Sequence, residues 1–362
     1  MHYANELAVR GNKVYFINPP SQGDGTGDLA VINRDNTIEN ITIIDIKPVK
    51  GVLFFRHKLP IVFNAISRRY SKKINALIPG KIDEVWCFNP HLFASLKHFN
   101  ASKNFLMIYD LYKGNYIMKI ARTADALISV SQFILDHFVD TSIPKLLVQH
   151  GLSNDFASIS ESKLSKGNFG SVAGDRIRVG YVGNLLREGM DTDVAMKIIA
   201  QHPENEFNFW GPHSTVDNNV AGRDMVISEK MAGFISFLHA QPNVFLRGTK
   251  KPGELAKEIN GMDCFLFLYS AEKDSNKASN SHKIMEYLST GKAVISTYVS
   301  NYHDTDLLVM CEPGDNGQLP ELFSEVTENL ALYNSQEKQY QRISFALDNT
   351  YARQIERIQS FV

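Results

Sequence analysis

Short apolar runs recur along this chain, and helical stretches fit between several of them. That alternation constrains the fold more than any other feature. In the first half the runs are Val14–Asn18 (VYFIN, ended by Pro19-Pro20), Asn40–Ile46, Glu84–Phe88, Phe105–Tyr109 (ended by Asp110), Ala126–Val130 (ended by Ser131) and Lys145–Gln149 (ended by His150-Gly151). A second series holds Arg178–Val182 (ended by Gly183-Asn184), Phe207–Trp210 (ended by Gly211-Pro212), Asn243–Leu246 (ended by Arg247-Gly248), Cys264–Tyr269 and Ala293–Thr297. Strands that alternate with helices and end in polar residues predict parallel sheets covered on both faces. Residues 3–10 carry a helical pattern stopped at Gly11-Asn12, residues 281–290 form the clearest helix, ended by Gly291, and Gln336–Phe361 reads as one long helix. Ser21–Gly27 reads as a flexible loop. Residues 152–175, rich in Ser, Gly, Asn and charge, separate the two series, with the linker placed at 161–175.

The chain has 362 residues, which at roughly 150 per domain indicates about two domains. The expected division is 1–160, a linker 161–175, a second domain 176–340, and a helix 341–362 that crosses back onto the first. Three cysteines, far apart in sequence, exclude a disulfide framework and a four-cysteine zinc site and favour a reducing compartment. A net charge of −1 argues against a general nucleic-acid binder. No apolar run approaches the roughly 18 residues needed to span a bilayer, and MHYANELAVRGN lacks the apolar core of a signal peptide. The expectation is a cytoplasmic protein.

The mean charge hides an asymmetry. Between Lys47 and Lys81 there are nine Lys or Arg residues and no acid, leaving 29 bases against 39 acids, a net −10, elsewhere. The bases are interleaved with Leu53, Phe54, Phe55, Ile61, Val62 and Phe63. A basic and apolar segment is what an anionic membrane surface attracts, at about 1 kcal/mol per base near the lipid. The competing reading is a solvated helix face whose acidic partners come from elsewhere.

In open parallel sheets, ligands bind beyond the carboxyl ends of the strands. The most informative segment there is ASNSHKIMEYLSTGKAVIST, residues 278–297. Ser279, Asn280 and Ser281 precede an amphipathic helix, whose free N–H groups and positive dipole end can bind phosphate. Lys283 places a cation in the first turn, where the helix dipole disfavours it unless an anion sits alongside. Glu286 follows on the same face, where a carboxylate can accept hydrogen bonds from a ribose diol. A capped surface helix with an incidental Lys–Glu pair explains the same residues equally well.

HKIMEYLSTGKAVIST resembles the donor-site signature of GT-B glycosyltransferases, K-x-x-E-Y-L-x-x-G-K-P-V-V, with Ala293 in place of the proline. RVGYVGNL, FNFWGP and NVFLRGTKKPGELAKEINGMDCFLFLY resemble further donor-domain blocks of that family, and FLMIYDL…IARTADALISVSQFIL…LLVQHGLS resembles its acceptor-domain run. The resemblance spans about residues 2–355, closest to the family 4 group and the xanthan glucuronosyltransferase type. It implies an α/β fold of two Rossmann-like, doubly wound domains facing a central cleft. It also implies transfer of a sugar from a nucleoside diphosphate sugar, UDP first and GDP second, to a cell-surface polysaccharide or lipid-linked glycan. No cofactor is implied.

Carried over residue by residue, Glu286 would bind the donor ribose and Lys283 the diphosphate, with Ser281 and His282 at the helix start. Gly183 and Asn184 would let the first donor loop approach the sugar or phosphates, with Arg187 as a second phosphate cation. Gly248 and Thr249 would lie against the base, and His150 would be structural. Apart from the resemblance, His213 follows Gly211-Pro212 at a strand end, where it either touches the donor or is a solvated loop histidine. Asp110 would face the acceptor hydroxyl. Three departures bear on mechanism. Ala278 stands where retaining enzymes of family 4 carry the first glutamate of Glu-x7-Glu, so Asp110 becomes the candidate general base of an inverting reaction. Asp191 stands near the place of a usual lysine, leaving Lys283 and Arg187 to neutralise the leaving diphosphate. The family's first strand and glycine loop have no counterpart, the chain beginning within what resembles the first acceptor helix. Asp191-Thr192-Asp193 is a D-x-D, a metal-binding motif in another glycosyltransferase fold. Here it precedes a helix, where acids cap, and no metal site is assigned. A nucleotide-sugar-binding subunit without activity and a UDP-sugar epimerase on the same fold are the rival readings.

Overall fold

The computed structural model describes residues 1–18, 29–32, 39–47, 49, 51–112, 114–139, 141–167, 169–170, 176–214, 227–270 and 280–362. The loop 21–27, Lys50 and Ala278, singled out above, lie outside these residues, as do 171–175 of the expected linker. The chain divides into two compact units, Met1–Gln149 with Tyr351–Val362, and His150–Thr350.

Unit 1 opens with α1 (His2–Val9), β1 (Val14–Ile17), β2 (Leu29–Ile32) and β3 (Ile41–Ile46). These strands form a sheet of order β1-β3-β2, in which β1 and β3 are parallel and β2 is antiparallel to β3. The expectation of parallel strands throughout therefore fails at β2. Its short connection to β3 suits an antiparallel neighbour, since a parallel one needs a crossover of a dozen or more residues. The pair of helices α2 (Val52–Lys58) and α3 (Pro60–Leu77) follows, with Pro60 at the first position of α3, where its missing N–H costs nothing. Then come β4 (Glu84–Cys87), β5 (Lys103–Ile108), α4 (Asn115–Ala121), β6 (Ala126–Ser129), α5 (Gln132–Asp136) and β7 (Lys145–Leu147). The four strands form a second, all-parallel sheet in chain order.

Unit 2 begins with α6 (Asn154–Lys166), which overturns the reading of this Ser- and Gly-rich stretch as a linker. Phe156, Ala157 and Ser160 are buried on one face, and Gly167 ends the helix in the left-handed region. Ser160 Oγ donates to the Ser289 carbonyl at 2.8 Å, so a serine that looks solvent-facing in the sequence is a packing contact. There follow β8 (Arg178–Val182), α7 (Thr192–Gln201), β9 (Glu206–Trp210), α8 (Glu229–Ala240), β10 (Val244–Gly248), α9 (Pro252–Ile259), β11 (Cys264–Phe267), α10 (His282–Ser289), β12 (Ala293–Ser296) and β13 (Val309–Met310). The unit closes with α11 (Leu319–Glu328), α12 (Leu330–Tyr333) and α13 (Gln336–Asp348).

All six strands are parallel, in the order β10-β9-β8-β11-β12-β13. The order reverses between β8 and β11, which makes their carboxyl ends the topological switch point where doubly wound sheets take ligands. Alternate residues of the central strands feed two cores. Cys264, Leu266, Ala293 and Ile295 join one with Phe207, Phe209 and Phe323, while Phe265, Phe267 and Val294 join the other with Tyr287, Leu288 and Tyr302.

The long C-terminal helix predicted from residue 336 onward is two helices. It breaks at Asn349-Thr350, where the Asn349 carbonyl accepts from Leu152 N at 2.8 Å. Helix α13 remains in unit 2, and only α14 (Tyr351–Phe361) belongs to unit 1. There Ile355 and Ile358 are fully buried with Tyr3, Phe105, Met107 and Ile128. The boundary expected at residue 341 thus moves by ten residues. The reason is the break itself, at which the backbone pairs with residue 152 instead of continuing the helical ladder.

Candidate functional site

The switch point of unit 2 is built by three loops that hold one another. After β8, Gly183 N donates to the Trp210 carbonyl at 2.8 Å and Leu185 N to that of Pro212 at 3.0 Å. Gly211 N donates to the Gly248 carbonyl at 2.9 Å, so the ends of β8, β9 and β10 are tied in series. Gly211 has φ +134°, and a Cβ there would stand 1.9 Å from the Gly183 carbonyl oxygen, so no side chain fits. Met190 and Tyr269 form a β-bridge, and Asn316 Nδ2 donates to both the Asp191 carboxylate and the Tyr269 carbonyl at 2.8 Å. The loops after β8 and β11 are thereby fixed to each other.

Helix α10 is docked onto this frame by Tyr287. Its ring stacks on Phe265 at 4.4 Å, and its hydroxyl accepts from Val182 N at 2.6 Å, the last residue of β8. Ser281 caps the helix by accepting from Lys283 N. Just before it, the carbonyl of Asn280 accepts from His150 Nε2 at 2.7 Å. Burial takes His150 down to about 4, so its imidazole is neutral and carries the proton on Nε2.

The start of α10 carries Lys283 and Glu286, and Arg187 of the β8 loop lies near enough to act on the Lys283 ammonium. Burial pushes the Glu286 carboxyl up to about 7 against the pull of the Lys283 ammonium. Burial also lowers Lys283 to about 8, with Glu286 opposing and Arg187 reinforcing that shift. Lys283 and Glu286 therefore share a partly desolvated corner, with the exposed Arg187 at its edge adding a second positive charge. Such a corner favours an incoming anion, which holds Lys283 in its charged form.

The remaining expected residues fall at different depths. Gly183 is buried, and Asn184 spends its side-chain oxygen on Leu186 N at 2.9 Å, shaping the loop. His282 is exposed, with Nε2 4.0 Å from the Glu286 carboxylate. Gly248 ends the edge strand β10 and exposed Thr249 follows it, the Gly248 carbonyl accepting from Gly211 N. His213 Nδ1 lies 3.3 Å from the Gly211 carbonyl. The D-x-D carboxylates are both engaged. Asp191 accepts from Val194 N and Asn316, and Asp193 pairs with Lys230 at 2.7 Å. Among the described residues no group of three metal-ligating side chains occurs. Asp110 lies in unit 1, exposed just beyond β5, close enough to Tyr112 to help raise that phenol to about 12 after burial.

Sequence reading missed Tyr287 and Asn316 as the groups that hold the corner together. Tyr287 was visible only as part of the quoted motif. Asn316, 125 residues from Asp191, left no local signal.

No family model matches the chain, and no curated protein matches it in sequence. Solved structures do match in fold. The trehalose-6-phosphate protein from E. coli bound with UDP-2-fluoro glucose superposes with a TM-score of 0.65 at 10% identity, over 98% of this chain and 94% of that one. A UDP-forming alpha,alpha-trehalose-phosphate synthase from Burkholderia xenovorans, in complex with glucose-6-phosphate, gives 0.63 at 11% identity over 96% and 90%. Sucrose-phosphate synthase from Thermosynechococcus elongatus gives 0.64 at 12% identity over 99% and 91%. The chain has the two-domain Rossmann-like fold of the GT-B type.

Proposed function

We propose that the chain is a glycosyltransferase that moves a sugar from a nucleoside diphosphate sugar, UDP-linked first and GDP-linked second, to a glycan acceptor. The observation that carries this reading is the meeting of Arg187, Lys283 and Glu286 at the switch point of a sheet ordered for nucleotide binding. In this reading Lys283, Arg187 and the capped start of α10 hold the diphosphate, and Glu286 accepts from the ribose hydroxyls. Charge building on the departing diphosphate is met by cations already in place, which costs no reorganisation. The UDP-sugar analogue and the sugar phosphate bound by the structural neighbours support the substrate class.

Unit 1 is the acceptor-binding domain in this reading, and Asp110 removes the acceptor proton as general base. The acceptor is a polysaccharide or lipid-linked glycan precursor, and the enzyme works in the cytoplasm at the inner membrane face. The basic α2–α3 segment supports that placement. No helix among the described residues is long and apolar enough to cross a membrane.

A thermal-shift panel of UDP, GDP, ADP, TDP and CDP, each with and without EDTA, tests the donor half. A nucleotide at 100 times its Kd stabilises the folded state by about 2.7 kcal/mol. The expected result is a shift of several degrees by UDP, unchanged by EDTA and lost in Glu286→Ala. Absence of a shift with every nucleotide overturns the reading.

A further inference from the structure

Beyond the donor corner, unit 1 carries a cluster that the transfer chemistry above leaves unused. It gathers Arg56 and His57 from α2, His91 from the segment after β4, Tyr112 from the segment after β5, and Tyr116 from α4. Because β4 and β5 are parallel neighbours, those two segments leave the sheet at the same carboxyl edge. Arg56 Nη1 donates to His91 Nδ1 at 2.8 Å and to the His91 carbonyl at 3.3 Å, and Nη2 lies 3.2 Å from His57 Nε2. Its guanidinium sits 4.3 Å over the Tyr116 ring, and the Tyr116 hydroxyl reaches the same His91 Nδ1 at 2.9 Å. Tyr112 packs edge-on against His91 at 4.7 Å. Gly114 has φ +114°, and a Cβ there would crowd the Tyr116 ring at 3.2 Å, so the approach to this ring is built for glycine.

Guanidinium nitrogens only donate, and this fixes both imidazoles. His91 Nδ1 must accept, which puts its proton on Nε2; His57 Nε2 must accept, which puts its proton on Nδ1. Both of those ring N–H groups lack a partner among the described residues, and the buried Nε of Arg56 lacks one as well. Among the described residues no carboxylate pairs with Arg56, which lies within a segment of nine bases and no acid. A half-buried cation with no carboxylate beside it is costly unless an anion completes it.

We infer that the Arg56–His57–His91–Tyr116 cluster binds a phosphate group. Several donors spread around one cation match a tetrahedral, multiply charged acceptor better than a planar carboxylate, which a single bidentate arginine satisfies. Resting on the transferase reading, this phosphate belongs to the acceptor: a soluble sugar phosphate, or the phosphate of a lipid lying against Phe54, Leu59 and Ile61 on the same helix pair.

The test uses the full chain. Inorganic phosphate is titrated while the imidazole ¹⁵N–¹H signals are followed by NMR, and the affinity is measured by calorimetry for wild type and Arg56→Gln. The expected result is saturable movement of the His57 Nδ1–H and His91 Nε2–H signals, with at least tenfold weaker binding in R56Q and an unchanged UDP melting shift. Sedimentation with phosphatidylcholine vesicles, with and without phosphatidic acid, separates the two sources. An R56Q-sensitive gain with phosphatidic acid assigns a lipid phosphate; phosphate binding without that gain assigns a soluble one. Phosphate that leaves both imidazole signals unmoved, or binds wild type and R56Q alike, overturns the inference. If R56Q does not fold, the wild-type NMR titration alone decides. Loss of the UDP shift in wild type would sink the transferase reading and leave this result standing.

Discussion

Glu286 and Lys283 titrate in opposite directions from their ordinary values, and that couples the corner to pH. Glu286 rises from 4.5 to about 7, so between those values the folded chain holds a proton that the unfolded chain has released. Stability therefore falls as pH rises through that interval. Lys283 drops from 10.5 to about 8, so above about 8 the folded chain has released a proton that the unfolded chain keeps, and stability recovers with rising pH. Between about 7 and about 8 both groups are mostly charged and least comfortable, the state best suited to a diphosphate and a ribose diol. The ionised carboxylate of Glu286 accepts from the ribose hydroxyls more strongly than its protonated form does. UDP affinity is therefore expected to weaken as pH falls from 8 to 6, with Glu286→Gln binding less tightly at pH 8 and losing that dependence. Calorimetric titration at the two pH values checks it, and an unaltered pH profile in the variant refutes the role.

At the scale of elements, α10 is positioned by one phenol. Tyr287→Phe keeps the stack on Phe265 but strands the half-buried Val182 N–H, a loss of partner that costs about 1 kcal/mol. The expected result is a melting temperature several degrees lower, with weaker UDP binding, since the first turn of α10 loses its fixed distance from the β8 loop. A variant as stable as wild type would show that the stack alone holds the helix. Helices α2 and α3 present the opposite case, with large apolar side chains exposed among the described residues. Phe54, Leu59, Ile61 and Val62 are exposed, Ile61 to 85%, and Arg68, Arg69 and Lys72 are exposed farther along α3. Apolar side chains flanked by bases fit an anionic bilayer surface. Liposome sedimentation is expected to rise with anionic lipid and to fall in the double variant Phe54→Ser, Ile61→Ser. Equal binding to neutral vesicles sinks the docking role.

At the scale of the whole chain, unit 1 is completed by the last twelve residues. Helix α14 lays Ile355 and Ile358 against Tyr3, Phe105 and Met107, and Arg10 bridges to it through the Ala352 carbonyl at 2.9 Å and Glu356 at 3.1 Å. Ending the chain at Thr350 uncovers that core face. Each lost large aliphatic contact costs about 2–5 kcal/mol. Calorimetry is expected to show a transition for unit 1 at sharply lower temperature, with that of unit 2 and its UDP shift preserved. A single transition falling as one would show that the two units do not unfold independently.

Eleven of the thirteen described strands, the alternation with helices, and the helix carrying Lys283 and Glu286 were legible in the residues, because apolar periodicity and caps act over a few neighbours; the short β2 and β13 were not. So was the D-x-D as a cap, since Asp191 serves the helix that follows it directly. What local pattern could not carry was decided by contacts between residues distant in sequence. Ser160 became a packing contact because Ser289 lies against it, and Asn349 ended a helix because Leu152 takes its carbonyl. Strand order decided that β8 and β11 would be neighbours, and hence that Arg187 would meet Lys283 and Glu286. The protonation of Lys283 and Glu286 is likewise a tertiary property, since burial, which no single segment specifies, moves their protons.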